Sequence, residues 1–227
     1  MASVANFRSG VAEAALDLFT DNGYDPTSVD DIALAAGISR STFFRQFRAK
    51  EDVIFADHEA LLEELTAYLS VSHPDPWEAV CQAAVLVFVK FSEHRKLAQK
   101  RYHVVQAVPA LRDRETIMVS RYERLFSDYL RRALPGISTL DAIRFAAAVT
   151  STHNYVLREM MLDSPRGSLQ NLEHELQAVR RIFGVLPPQD PASKPAEDDL
   201  VVAVFSRSTP TAEIARRIQS ELDGRSA

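Results

Sequence analysis

The stretch SVDDIALAAGISRSTFFRQFRAK, residues 28–50, decides how the rest of the chain is read. Ser28 stands where a helix N-cap belongs, and Asp31, three residues on, can reach back to the cap's own amide. Ile32, Ala33 and Ala36 give a short helix a narrow apolar face. Gly37 stops it, because glycine enters the left-handed C-cap conformation without a Cβ penalty. Ile38 plugs the gap to a second helix, which Ser39 caps. Phe43 and Phe47 lie four apart, share a face and are expected to bury. Arg40, Ser41, Thr42, Phe44, Arg45 and Gln46 then point outward, and Lys50 opens the next helix. Ser39 to Lys50 holds the cations Arg40, Arg45, Arg48 and Lys50 and no acid. Hydrogen-bonding side chains at the N-terminal end of a helix are what insertion into a DNA major groove requires. The alternative is a solvated basic face on an ordinary helical pair.

The surrounding sequence favours the first reading. Residues 7–55 resemble the DNA-binding domain of the TetR family of transcriptional regulators. Phe7 to Phe19 stands for the first helix. Gly23-Tyr24, Thr27-Ser28-Val29, Ile32-Ala33, Ala36-Gly37-Ile38-Ser39, Thr42-Phe43, Phe47 and Lys50 follow the family pattern. Two positions depart from it: Phe44 replaces the usual tyrosine, removing a phosphate hydrogen bond, and Ala49 replaces the usual Ser or Asn cap. Past residue 60 the resemblance is one of architecture only. The resemblance implies a ligand-responsive repressor that binds a double-stranded DNA operator. It implies a connecting helix between a DNA-reading head and a helical body, with dimerisation through the last two helices as a four-helix bundle. The expected DNA-contacting set is Ser28, Ser39, Arg40, Ser41, Thr42, Phe44, Arg45, Gln46 and Lys50, with Lys50 on a phosphate.

The 227-residue chain is 46% hydrophobic and 25% charged, within the range of globular proteins and enough for a sizeable core. Its net charge of −5 excludes a general polyanion binder, so a nucleic-acid contact has to come from a local basic patch. One cysteine, Cys81, excludes an intrachain disulfide and fits a reducing compartment. No apolar leader with a cleavage site opens the chain, and Ala83 to Val89 is far too short to span a bilayer. A cytoplasmic location with no membrane contact is expected.

Helical periodicity dominates up to residue 198, so the body is expected to be all-α. A first helix over about residues 4–22 carries the stripe Val4, Phe7, Val11, Ala14, Ala15, Leu18 and Phe19. Arg8, near its start, faces either a phosphate or solvent. A single connecting helix is expected over Glu51 to Leu69. His73-Pro74-Asp75-Pro76 breaks the chain. Trp77 to His94 is apolar nearly all round, as a central helix is. Further helices are expected over residues 95–108, 110–134, 139–162 and 168–183. The last two carry apolar stripes, Ala142, Phe145, Ala146, Val149, His153, Val156 and Met160, then Leu169, Leu172, Leu176, Val179 and Phe183. They suggest a surface for a second copy of the chain. The expected division is a helix–turn–helix domain over 1–50, a ligand-binding and dimerisation body over 51–185, and a tail over 186–227. The tail holds a proline-rich linker, a short strand over Leu200 to Phe205 and a final helix.

No glycine-rich phosphate loop, CxxC pair or helical His pair is present, and nothing assembles a catalytic constellation. No enzyme activity, metal or cofactor is expected. Aromatic and polar residues are mixed over the middle helices. Phe88, Phe91, Tyr102, Gln106, Tyr122, Phe126, His153 and Asn154 are the expected lining of a cavity for a small apolar effector. The alternative is a helical protein-interaction module without DNA reading.

Overall fold

The computed structural model describes residues 2–186, with side chains from residue 7 onward. Val4 and the expected strand-and-helix tail therefore lie outside the described side chains. Among the described residues ten helices follow one another: α1 (Ala2–Asn22), α2 (Val29–Ala35), α3 (Arg40–Gln46), α4 (Lys50–Ile54), α5 (Ala56–Tyr68), α6 (Pro76–Glu93), α7 (Arg95–Ala107), α8 (Pro109–Ala133), α9 (Thr139–Met161) and α10 (Leu169–Ile182). The described chain is all-helical.

Local chemistry places the ends of these helices. Ser28 and Asp31 form the expected reciprocal capping box: Asp31 N–H donates to Ser28 Oγ at 3.2 Å and Ser28 N–H to Asp31 Oδ2 at 2.8 Å. α2 ends in a Schellman turn. Gly37 takes φ +66°, its N–H donates to Leu34 O at 3.1 Å, and Ile38 N–H donates to Ala33 O at 2.9 Å. Ser39, Ser138 and Ser168 cap α3, α9 and α10 in the same way, each accepting from an amide three residues on. Asp75 caps α6 from two amides, with Pro76 in the first turn.

One connecting helix was expected over 51–69, and the structure has two. Phe55, with φ −103° and ψ 11°, interrupts the helix between α4 and α5. Val53, Ile54, Phe55 and Ala56 are all buried, a run no single helical face can bury, so the chain turns to bring each inward. Ala49 supplies no side-chain cap to α4. Asp52 compensates in part, its carboxylate accepting from Arg48 N–H at 2.9 Å and Ala49 N–H at 3.1 Å.

In α1 the buried stripe is Val11, Ala12, Ala15, Leu16 and Phe19, rotated from the expected one: Ala12 and Leu16 are fully buried while Leu18 is only half-buried. α1 packs on α2, α4, α5 and α7, and α6 runs through the body against α5, α7, α8, α9 and α10. Burial of Ala79, Val80, Cys81, Ala83, Ala84, Val85, Val87, Phe88 and Phe91 accounts for the nearly all-apolar α6 sequence. Burial pushes the Cys81 thiol up to about 12, so it stays protonated and unreactive. Arg180, 2% exposed, closes α10 onto the start of α6 through ion pairs with Asp75 and Glu78. Gly167 matters for close approach: a Cβ there would stand 2.1 Å from Met160 N. Among the described residues no helix is long and apolar enough to cross a membrane.

The apolar stripes of α9 and α10 serve their own chain. Ala142, Phe145, Val149, His153, Val156, Met160, Leu172, Leu176 and Val179 are all buried within it. Leu169 of the expected stripe is left outside, and with it Leu140, Ile143, Tyr155 and Ile182, which lie off the stripes.

Candidate functional site

Phe43 and Phe47 anchor α3, at 0% and 2% exposure, with ring centroids 5.2 Å apart. That burial turns Arg40, Ser41, Phe44 and Arg45 fully outward, with Thr42 and Gln46 half-exposed beside them. The residues expected to meet DNA are not equally free to do so. Ser39 Oγ already accepts from Thr42 N–H at 3.1 Å and lies 2.9 Å from both Ser41 Oγ and Thr42 Oγ1. Ser28 Oγ is engaged in its capping box and donates to Asp31 Oδ2 at 2.6 Å. Arg40 Nη1 meets Asp30 Oδ2 of α2 at 2.5 Å, and its guanidinium carbon sits 5.2 Å from the Phe44 ring centroid. Phe44, 45% exposed, is thus a platform for Arg40.

Lys50 is placed where no phosphate is needed to hold it. Its Nζ donates to Tyr24 O at 2.7 Å and Thr27 O at 3.1 Å and lies 4.1 Å from the Tyr24 ring centroid. Tyr24 in turn donates to Glu51. The ammonium ties α4 to the loop between α1 and α2. Arg8 is half-exposed, and its guanidinium carbon sits 5.4 Å from the Phe47 ring centroid.

A second site lies in the body. A cavity of about 450 Å³ opens among α5, α6, α7, α8 and α9. Phe91, Tyr102, Gln106, Tyr122, Phe126, His153 and Asn154 line it together. Phe88 does not; at 2% exposure it stands edge-on to His153, centroids 6.4 Å apart. The wall also includes residues that sequence reasoning missed: Phe55, His58, Arg101, Glu115, Met118, Thr150 and Arg158. A lone histidine on α5 and an arginine in a basic helix carry no local signal of this.

Burial controls the charge in this wall. Desolvation pulls the His58 imidazole down to about 3, with the nearby Arg101 guanidinium adding to the shift. Desolvation takes His153 down to about 4. Both rings are neutral near pH 7. Tyr122 is pushed well above the usual phenol value by burial, and Glu115 is raised by the same cause. Arg101, 6% exposed, is neutralised by Asp57 of α5 at 2.5 Å.

The wall is bonded to the segment that follows α3. His58 Nδ1 and Tyr122 Oη are 3.1 Å apart. Three ion pairs lie alongside: Asp52–Arg114, Asp57–Arg101 and the two-pronged Glu59–Arg121. Residues of α4 and α5 are therefore fastened to α7 and α8 through the walls of the cavity.

Residues 11–56 match the family model described as bacterial regulatory proteins, tetR family. MftR of Mycobacterium tuberculosis, whose name ties it to regulation of mycofactocin biosynthesis, is 29% identical over 57% of this chain and 66% of its own length. The HTH-type transcriptional regulator TcmR of Streptomyces glaucescens is 33% identical over 56% of this chain and 53% of its own. The matched region thus spans less than two thirds of either relative. In fold, a chain from Syntrophomonas wolfei assigned to the TetR family superposes with a TM-score of 0.60 at 17% identity, covering 82% of this chain and 99% of that one. SmeT in its triclosan complex does so with a TM-score of 0.60 at 19% identity, covering 82% and 96%. Residues 11–56 thus match the DNA-binding region of the TetR family of bacterial regulatory proteins, and the fold of the described residues is similar to that of these solved chains.

Proposed function

We propose that this protein is a sequence-specific DNA-binding transcriptional regulator, a repressor released from its operator by a small, largely apolar effector. The carrying observation is the outward surface of α3. Phe43 and Phe47 hold the helix down, and Arg40, Ser41, Thr42, Phe44, Arg45 and Gln46 are left at the surface. Arg40 and the hydroxyls stand at the N-terminal end, the end that meets base edges in a helix–turn–helix. Relatives matched over 131 and 130 residues are named as transcriptional regulators.

In this reading two copies pair through the outer faces of α9 and α10, where Leu140, Ile143, Leu169 and Ile182 are exposed. A two-fold pair presents two α3 helices to successive major grooves. An effector in the cavity between α5 and α9 presses on Tyr122 and His58, and the bonded α4–α5 segment passes the movement to the head. Release follows if the effector binds one head spacing better than the other.

The test is a gel shift of the purified protein on its own upstream DNA across a salt series. Binding with a steep salt dependence and a preference over scrambled duplex supports the reading. Equal, weak binding to both duplexes overturns it.

A further inference from the structure

We propose that the effector of this cavity carries a neutral hydrogen-bond donor, an alcoholic or phenolic hydroxyl, which it presents to His153 Nε2. The inference deepens the effector reading above and rests on it.

His153 is 7% exposed and lines the cavity, and its Nε2 is buried without a hydrogen-bond partner among the described residues. The other ring nitrogen decides what Nε2 can do. Nδ1 lies 3.1 Å from Asn154 Oδ1, a carbonyl oxygen that can only accept. Nδ1 therefore carries the ring proton and Nε2 is a bare lone pair. Burial holds the ring in this neutral form at neutral pH. A bare buried acceptor selects for a ligand that donates, because an unpaired polar group left in an apolar wall is costly.

Three residues earlier on α9, Thr150 is 4% exposed, lines the same cavity and has an Oγ1 likewise without a partner among the described residues. A hydroxyl group suits the pair: its proton goes to Nε2 and its lone pairs are open to the threonine hydroxyl. A carboxylate would set its own lone pairs against that of Nε2. Of the two cations in the wall, Arg101 is already answered by Asp57 at 2.5 Å, and Arg158 acts on the Glu115 carboxyl of the same wall. Around this polar corner the wall is Val87, Phe91, Met118, Phe126 and Met161, which fits an aromatic or alkyl remainder. The volume, about 450 Å³, is that of a site for a drug-sized molecule.

The test is calorimetric titration of the full chain with three probes of matched shape: 4-pentylphenol, its methyl ether 4-pentylanisole, and 4-pentylbenzoate. The phenol should bind about tenfold or more tightly than the ether, the worth of one well-made buried hydrogen bond. The benzoate should bind no better than the ether. In His153→Phe the phenol and ether should bind alike, and Thr150→Val should lose part of the preference. Equal binding of phenol and ether to the wild-type chain overturns the donor assignment while leaving the cavity as an effector site. Binding of none of the three overturns both. A benzoate that binds tightest, or a phenol preference that survives in His153→Phe, overturns the donor assignment alone. The wild-type comparison needs no variant to fold.

Discussion

The His58 imidazole on α5 and the Tyr122 hydroxyl on α8 meet at 3.1 Å across 64 residues of chain. Tyr122 is buried and His58 half-buried, and each shift in their acidity has desolvation as its first cause. The pair makes the cavity wall and the segment beyond the head one mechanical piece.

Tyr122→Phe keeps the ring and removes the bond. It should cost about 1–2 kcal/mol of stability, the usual range for a buried partner left alone. Urea denaturation should show a lower midpoint with an unchanged slope. An unchanged midpoint would mean that the hydroxyl does not hold α5.

The two desolvated imidazoles of the cavity wall predict acid sensitivity. Their folded pKa values, about 3 for His58 and about 4 for His153, lie below the ordinary 6.5. The unfolded chain therefore binds more protons in this range. Stability is full above 6.5 and falls as pH drops toward the folded values. By pH 5 each histidine should have removed about 2 kcal/mol. The depressed carboxyls of Asp31, Glu59 and Asp141 act only at lower pH, and the raised Glu115 works in the opposite direction there. Melting temperature should drop between pH 6.5 and 5 in the wild-type protein and less in His153→Gln. Identical drops would place the titration elsewhere.

Lys50 is expected from sequence on a phosphate, yet its ammonium is directed at Tyr24 O and Thr27 O. We expect Lys50→Met to loosen the loop between α1 and α2 and lower the melting temperature. The slope of log affinity against log salt should stay near the wild-type value. A slope flattened by roughly two units for a dimer would restore the phosphate contact.

What was legible in the sequence was local. Ser28, Gly37 and Ser39 signal their caps within four residues, and Phe43 and Phe47 reveal the buried face of α3 by spacing alone. The break at Phe55 was hidden because Val53-Ile54-Phe55-Ala56 contains no glycine or proline. It arises from burying four successive apolar side chains. Phe88 and Phe91 look equivalent from sequence, but three residues along a helix is not a whole turn, and only Phe91 reaches the cavity. His58 and Arg101 enter the cavity wall only through the meeting of α5 with α7 and α8. The stripes of α9 and α10 show by spacing which side chains are apolar, but not what covers them: all but Leu169 of those that spacing picks out pack in the chain's own core.

Arg40 is the residue on which base reading should depend most, and Asp30 holds it. The two side chains meet at 2.5 Å while both remain more than half exposed, so the pair is easily broken by a competing acceptor. From the first turn of α3 the forked guanidinium can reach O6 and N7 of a guanine. Phe44 beneath it restricts the directions in which it can swing. Arg40→Ala should cost roughly 1–3 kcal/mol on the cognate site and relax preference at one base pair per half-site. Asp30→Asn should act in the opposite direction on affinity, by freeing the arginine and removing a carboxylate that repels phosphate. Because a freed arginine also finds phosphates, it should raise binding to scrambled duplex more than to cognate and so reduce discrimination. A salt titration of wild type and both variants on cognate and scrambled duplexes reads all of this. If Asp30→Asn leaves both affinities unchanged, the ion pair has no part in reading DNA. If Arg40→Ala keeps the wild-type base preference, recognition passes to Thr42, Arg45 and Gln46 instead.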